Sequence, residues 1–374
     1  MLSNAVQSHR GFFMVFSMTD ALGLVRGLVA LPGPPGQEGR VREAVAAHAD
    51  RLGCARETDA RGNLLVSLPG AGHVPARPEV VVMAHLDEIA LLVVGAEADG
   101  RLAVTNLGGA YPWKWGEGPV QILASGEALT GILSFGSIHT NDGGSVAAQA
   151  RERALTWGDA RVWTGLSVEE LAARNVRAGT RVVLHPSRRA LTELGEFVSA
   201  PFLDDRADLA AMLLALEEVK GLDPSRVLFA ATAAEEVGGH GALWLLRQHP
   251  ARVGIALEIG PRVPESPFAL DDQPTVWVND GYSAMQAQDI DLVARAAERI
   301  GQTPHFQALS RGGSDASCAA SHGLVARPIT LAFAAENSHG HEIMHRNAVP
   351  NLAALLSATL TEVLTEVLEE GNGD

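Results

Sequence analysis

A chain of 374 residues, 47% of them hydrophobic, is too long for one small core and fits two domains, or one domain carrying a large insertion. Its 29 Lys and Arg against 44 Asp and Glu leave a formal charge of -15 with no basic cluster, which argues against nucleic-acid binding because phosphate neutralisation needs grouped cations. The two cysteines, Cys54 and Cys318, are far apart, which excludes a disulfide framework or a cysteine-rich zinc module and fits a reducing cytoplasm.

Residues 1–18 read as a disordered extension. The apolar stretch from Phe12 to Phe16 is shorter than a secretory core and lacks a small-residue cleavage site, and Met18 is a second candidate start. No other segment approaches the roughly 20 apolar residues of a membrane span. From about residue 20 to 86 the pattern is helical, then strand-like. TDALGLVRGLVALPG offers Thr19 or Asp20 as an N-cap and Gly33 as a stop, and QEGRVREAVAAHADRLG has apolar positions at helical spacing and ends on Gly53. VVVMA, apolar on both faces, predicts a buried strand of a largely parallel sheet.

Residues 88–199 differ. Short β-type runs such as LLVVGAEADGRLAV, GPVQILASG and TRVVLHP are separated by Gly, Pro and Asp-Gly turns, with one short helix at SVEELAARN. Such spacing predicts a small β-barrel or sandwich inserted between 19–87 and 200–374. The second block resumes with a helix (DLAAMLLALEEV), a strand (RVLFAATA), a helix (GALWLLRQ) and a strand (VGIALEI). A helix near 285 to 300, a strand (PITLAF) and a final helix from Pro350 complete an α/β/α layer fold.

Candidate metal ligands fall at the ends of these elements. His85 and Asp87 follow VVVMA, Glu235 and Glu236 follow RVLFAATA, and Glu258 closes VGIALEI. Asp204 and Asp205 precede a helix, and His339, His341 and His345 follow PITLAF. In open α/β sheets, ligands gather beyond the carboxyl ends of strands, where loops converge. Alone, each has a plain structural reading: a satisfied His-Asp pair, a solvated helix start, a helix cap, one half of a buried ion pair. Their shared placement points to two metal sites. Imidazole and carboxylate suit zinc, cobalt or manganese, and two such ions polarise a carbonyl and activate a water between them. Glu235 is then the carboxylate that moves the proton to the leaving amine, with Asp87 orienting His85.

The motifs AHLDE, FLDDRADLA, AAEEVGGHGA and RGGSDAS resemble those of metallopeptidase family 42, the glutamyl aminopeptidases that include the tetrahedral (TET) aminopeptidases. LPGPPGQEGRVREAV resembles that family's opening turn and helix, so the resemblance covers almost all of the chain from about residue 20. It implies a zinc-peptidase-like α/β/α domain with an inserted dimerisation domain, a centre of two divalent ions, zinc first with cobalt or manganese as alternatives, and a homo-oligomer from dimer to dodecamer. Residue by residue, His85 and Glu236 resemble terminal ligands, Asp204 the bridging ligand and Glu235 the general base. Glu258 stands where the family usually has Asp. The family's last ligand follows an Arg-Tyr pair that is missing from AFAAENSHGHEIMHRNAV; spacing from Asp315 favours His339, then His341, then His345.

Other features carry two readings. Arg311, Ser314 and Asp315 in RGGSDAS line a substrate pocket or form a turn and cap. Cys318 reads as an inert packed thiol. His139 reads as a surface residue, with a reach to a neighbouring subunit's site as the alternative. Tyr111, Trp113 and Trp115 form a contact surface or pack inside the β-domain. The expected function is a metal-dependent aminopeptidase acting on peptides with a free N-terminus, with no nucleic-acid or membrane partner. A deacylase or amidohydrolase of N-acyl amino acids, or an idle assembly homologue, are the alternatives.

Overall fold

The computed structural model describes residues 20–219 and 221–371, so the expected extension at 1–18 lies outside the described residues. Helices α1 (Ala21–Val29) and α2 (Gly39–Arg51) come first, then strands β1 (Cys54–Thr58), β2 (Leu64–Pro69) and β3 (Val80–His85). The first helix stops earlier than Gly33, because Pro32 disfavours helical dihedrals at Leu31, whose N–H turns back to the Leu28 carbonyl instead. The second ends as expected before Gly53, which takes a φ of +74°.

Six strands then close a barrel in the order β4-β5-β8-β7-β6-β9. They are β4 (Ala90–Ala96), β5 (Leu102–Leu107), β6 (Gly118–Ile122), β7 (Leu129–Ser134), β8 (Arg161–Trp163) and β9 (Arg181–Leu184), with the short helices α3 (Pro112–Trp115), α4 (Val146–Gln149) and α5 (Val168–Ala173) between them. Inward-facing Leu91, Leu102, Val120, Leu133, Val162 and Val182 fill the interior. The barrel thus has its own core.

The chain returns through β10 (Thr192–Leu194), β11 (Phe197–Pro201) and α6 (Leu203–Glu218). It continues with β12 (Val227–Thr232), α7 (His240–Gln248), β13 (Val253–Pro261), β14 (Pro274–Asn279), α8 (Ala287–Arg299), β15 (His305–Ala308), α9 (Asp315–Ser321), β16 (Arg327–Glu336), β17 (His341–His345) and α10 (Ala348–Gly371). These strands join β1 to β3 in an 11-stranded mixed sheet with the path β1-β2-β12-β3-β13-β16-β17-β11-β10. The helices cover both faces. One face packs on α1, α2, α6, α8 and α10, and the other on α7 and α9. Ala348–Glu366 is apolar and long enough to cross a bilayer by length and composition, but much of it is buried against α6, α8 and the sheet, as in a core helix.

Two details of pairing place the site. β12 runs parallel to β3 along its whole length, Val227 opposite Val80 through Thr232 opposite His85. β13 pairs with β3 only from Val253 to Ala256, then stays with β16 as far as Pro261. Beyond Ala256 the two strands part, and a crevice opens at the carboxyl end of β3.

Candidate functional site

His85, Glu258, Asp204, Glu236 and His339 meet in that crevice. Glu258 was expected at a strand end; β13 in fact continues three residues past it to Pro261, held by its pairing with β16. Asp204 and Asp205 open α6 with non-helical dihedrals and are joined by a cis peptide bond. One Asp204 oxygen lies 3.0 Å from His85 Nε2 and the other 3.5 Å from His339 Nε2. His339 Nε2 is also 3.9 Å from a Glu236 oxygen. Donor atoms of His85, Asp204, Asp205 and Glu258 lie within 4.8 Å of one another, and so do those of Asp204, Glu236 and His339. Asp204 belongs to both groups.

The ring of His85 is fixed from its other nitrogen, which donates to the Asp87 carbonyl at 3.1 Å. The Asp87 carboxylate, 3.6 Å from that nitrogen, is engaged elsewhere. Its two oxygens accept the backbone N–H groups of Glu235 at 3.0 Å and Glu236 at 3.1 Å. That turn begins at Ala234, with a φ of +57°. Sequence reasoning gave Asp87 to His85 alone.

His339 arrives on a tight loop between β16 and β17, itself at a φ of +59°. Its Nδ1 donates to the Gly109 carbonyl at 3.1 Å, a contact supplied by the barrel. A Cβ at Gly109 would lie 2.5 Å from the imidazole, so only glycine permits this approach. The other two histidines stay apart. His341 is exposed, and His345 packs edge-on against Phe197 with ring centroids 5.7 Å apart. His139 is exposed on the barrel.

A cavity of about 950 Å³ opens over this floor. Ile259, Trp277 and Leu309 form an apolar wall, and Tyr111, Trp113 and Lys114 of the barrel form another. Lys114 Nζ donates to Asn337 Oδ1 at 2.5 Å and sits 4.7 Å from the Trp113 ring centroid. Trp115 instead packs inside the barrel, edge-on to Trp157. In the RGGSDAS segment Arg311 lines the cavity, while Ser314 caps α9 and Asp315 accepts from Thr232 Oγ1 at 2.5 Å. Cys318 is buried beside it, and burial pushes its thiol up to about 11, which keeps it inert at neutral pH.

The profile of the M42 glutamyl aminopeptidase family matches residues 62–355. The chain belongs to that family. It is 26% identical to the lysyl aminopeptidase of Pyrococcus furiosus over 288 residues, 74% of this chain and 78% of that protein. It superposes on the TET1 peptidase of Pyrococcus horikoshii, which can assemble into a tetrahedron or a large octahedral shell, with a TM-score of 0.76 and 26% identity over 91% of this chain and 98% of that one. An aminopeptidase of Desulfurococcus kamchatkensis shares the fold at a TM-score of 0.79, with 23% identity over 91% and 94% of the two chains. Like other M42 members, the chain is a metal-dependent peptide hydrolase, built as an α/β/α domain with a barrel.

The donor set fits divalent cations. The carboxylates of Asp204, Asp205, Glu235, Glu236 and Glu258 crowd around His85 and His339, and the buried guanidinium of Arg206 is committed to Glu88 and the Leu86 carbonyl. Burial holds Glu235 and Glu258 well above the usual carboxylate range and brings Glu236 up to about 7. Burial opposes the protonated form of His85 and His339, but the surrounding carboxylates overcome it and raise both. For Asp204, burial is outweighed in the other direction: hydrogen bonds from His339 and His85 keep it below its ordinary value.

Asp205, expected beside Asp204 as a candidate ligand or a helix cap, accepts the His85 backbone N–H. One member of this M42 site went unread in the sequence. Glu342 accepts the backbone N–H of Asp204 at 3.0 Å and that of His339 at 2.8 Å. The signal for Glu342 was present in HEIMH, where alternation turns Glu342 and Met344 inward on β17, a strand that had not been anticipated.

Proposed function

We propose that this M42 chain removes N-terminal residues from peptides at a centre of two divalent cations. The observation that carries the reading is the Asp204 carboxylate, one oxygen toward His85 and the other toward His339. His85, Asp204 and Glu258 would hold one cation, and Asp204, Glu236 and His339 the other. Nitrogen and oxygen donors suit zinc first, with cobalt or manganese as alternatives. Such cations supply Lewis acidity to a peptide carbonyl and acidify a water.

Glu235 lines the same cavity and is kept protonatable by burial. That suits a group which accepts a proton from the attacking water and returns it to the leaving amine. Asp87 supports this role by fixing the main chain beneath Glu235. The acidic floor attracts a substrate ammonium group. Although the Arg-Tyr pair is missing, the loop still brings His339 to Asp204.

The barrel, taken as the unit 88–199 set into 19–87 and 200–374, is the proposed assembly module. Exposed Val94, Ile132, Ile138 and Trp163 on its surface support a homo-oligomer, as do the shells of the Pyrococcus horikoshii relative. Two buried free thiols are compatible with a reducing cytoplasm.

The test strips the protein with a chelator and assays a panel of aminoacyl-anilides after adding zinc, cobalt or manganese. At least one metal should restore hydrolysis, and Glu235→Gln should cost about 10²- to 10⁴-fold in kcat while metal content stays unchanged. If no metal restores activity and the Gln variant matches wild type, the proposal is lost.

A further inference from the structure

We infer that Glu342 is a positioning residue: its carboxylate locks the backbones of Asp204 and His339 together and so sets the geometry of the second cation site. This rests on the two-cation reading above. Glu342 lies on β17, opposite Ala200 of β11, and is 1% exposed. The antiparallel pairing of these two strands brings the end of β11, and with it the start of α6, alongside the loop that carries His339.

Neither ligand backbone is held by regular structure. Asp204 has a φ of -70° and a ψ of 99° in the first turn of α6, where helix N–H groups have no intrahelical acceptor. His339 sits at a φ of +59° in a loop. Each of these N–H groups finds an oxygen of the same carboxylate, Asp204 on Oε2 and His339 on Oε1. Glu342 contributes no atom to either candidate ligand group, so its effect on the site runs through the two residues it joins.

The chemistry is specific to glutamate. A glutamine keeps one acceptor and turns its NH2 toward an N–H, so one of the two bonds becomes a donor facing a donor. An aspartate keeps both acceptors but is one methylene shorter and cannot span both N–H groups. A residue that only caps α6 would be satisfied by a single bond, and its loss would affect folding rather than the balance between the two cation sites. Outer hydrogen bonds that orient metal ligands are worth about 10- to 100-fold in affinity.

The experiment titrates chelator-stripped wild type, Glu342→Gln and Glu342→Asp with cobalt alone. It reads bound cobalt per chain by equilibrium dialysis and ligand geometry by visible absorption, with circular dichroism as the check on folding. Wild type should take up two equivalents. Glu342→Gln should bind the first with near-wild-type affinity and the second about 10- to 100-fold more weakly, with Glu342→Asp between. If the Gln variant does not fold, the Asp variant decides. Wild-type affinity for both equivalents in a folded variant overturns the inference, and so does equal weakening of both. A wild type that binds one equivalent only would defeat the two-cation reading. In that event weaker binding in the variants keeps the role of Glu342, and unchanged binding removes it.

Discussion

Asp87 Oδ1 accepts the backbone N–H of Glu235 at 3.0 Å, and its other oxygen takes the next N–H, that of Glu236. The carboxylate therefore grips the turn that presents both glutamates, while its own carbonyl steadies His85. Asp87→Asn keeps one acceptor and places an NH2 against the other N–H. The expected result is a stability loss of about 1 to 3 kcal/mol, since one buried donor is left unsatisfied. kcat should fall more than KM rises, as measured by denaturant unfolding and steady-state kinetics on one preparation.

The chelated protein should lose stability as pH rises from about 5 to about 8. Burial lifts Glu236 to about 7 and Glu342 to about 8, and His85 and His339 are raised as well. Groups whose folded pKa exceeds the unfolded value bind more protons in the native state, so their stabilisation is complete below the unfolded pKa and drains away as pH climbs through the folded one. Asp204, which is lowered, acts oppositely and matters only below about pH 4. Thermal melts at successive pH values should show the decline in chelator and a flatter profile with metal restored. A flat profile in chelator contradicts it.

Glu88 is buried between two guanidiniums. Arg189 Nη1 donates to it at 2.8 Å and Arg206 Nη2 at 2.8 Å, while Arg189 also donates to the Val29 and Leu31 carbonyls. The triad ties the start of the barrel insertion to α1 and α6. Glu88→Gln removes the carboxylate that bonds both arginines and should destabilise by about 3 to 5 kcal/mol. Urea unfolding measures it, and a change below about 1 kcal/mol would mean that the two arginines find other partners.

Trp113 is 70% exposed yet lines the cavity beside Tyr111. An aromatic at the cavity rim is placed, on the proposed reading, to meet a longer peptide beyond its first residues. Trp113→Ala should raise KM several-fold for tetrapeptides and leave aminoacyl-anilides nearly unchanged. Equal effects on both lengths would place Trp113 nearer the scissile bond.

The layered fold and the barrel were legible because period-2 and period-3.6 patterns report which face of an element is buried. The gathering of His85, Asp204, Glu236 and Glu258 was legible for a related reason: polar residues in or just beyond the carboxyl ends of apolar strands, or at the start of a following helix, converge where neighbouring strands part. Periodicity names faces and not partners. Glu342 meets Asp204 across 138 positions and Gly109 meets His339 across 230. The double grip of Asp87 depends on a left-handed alanine at 234, a conformation that no sequence signal announces.

The Gly109 carbonyl and the Lys114 ammonium both reach out of the barrel, one to His339 and the other to Asn337 two residues earlier. The loop between β16 and β17 is therefore held at two points by one stretch of the barrel, 109–114, far from it in the chain. A barrel transplanted from one relative to another would have to bring a matching 337–342 loop with it, so these two stretches are bound to change together or not at all.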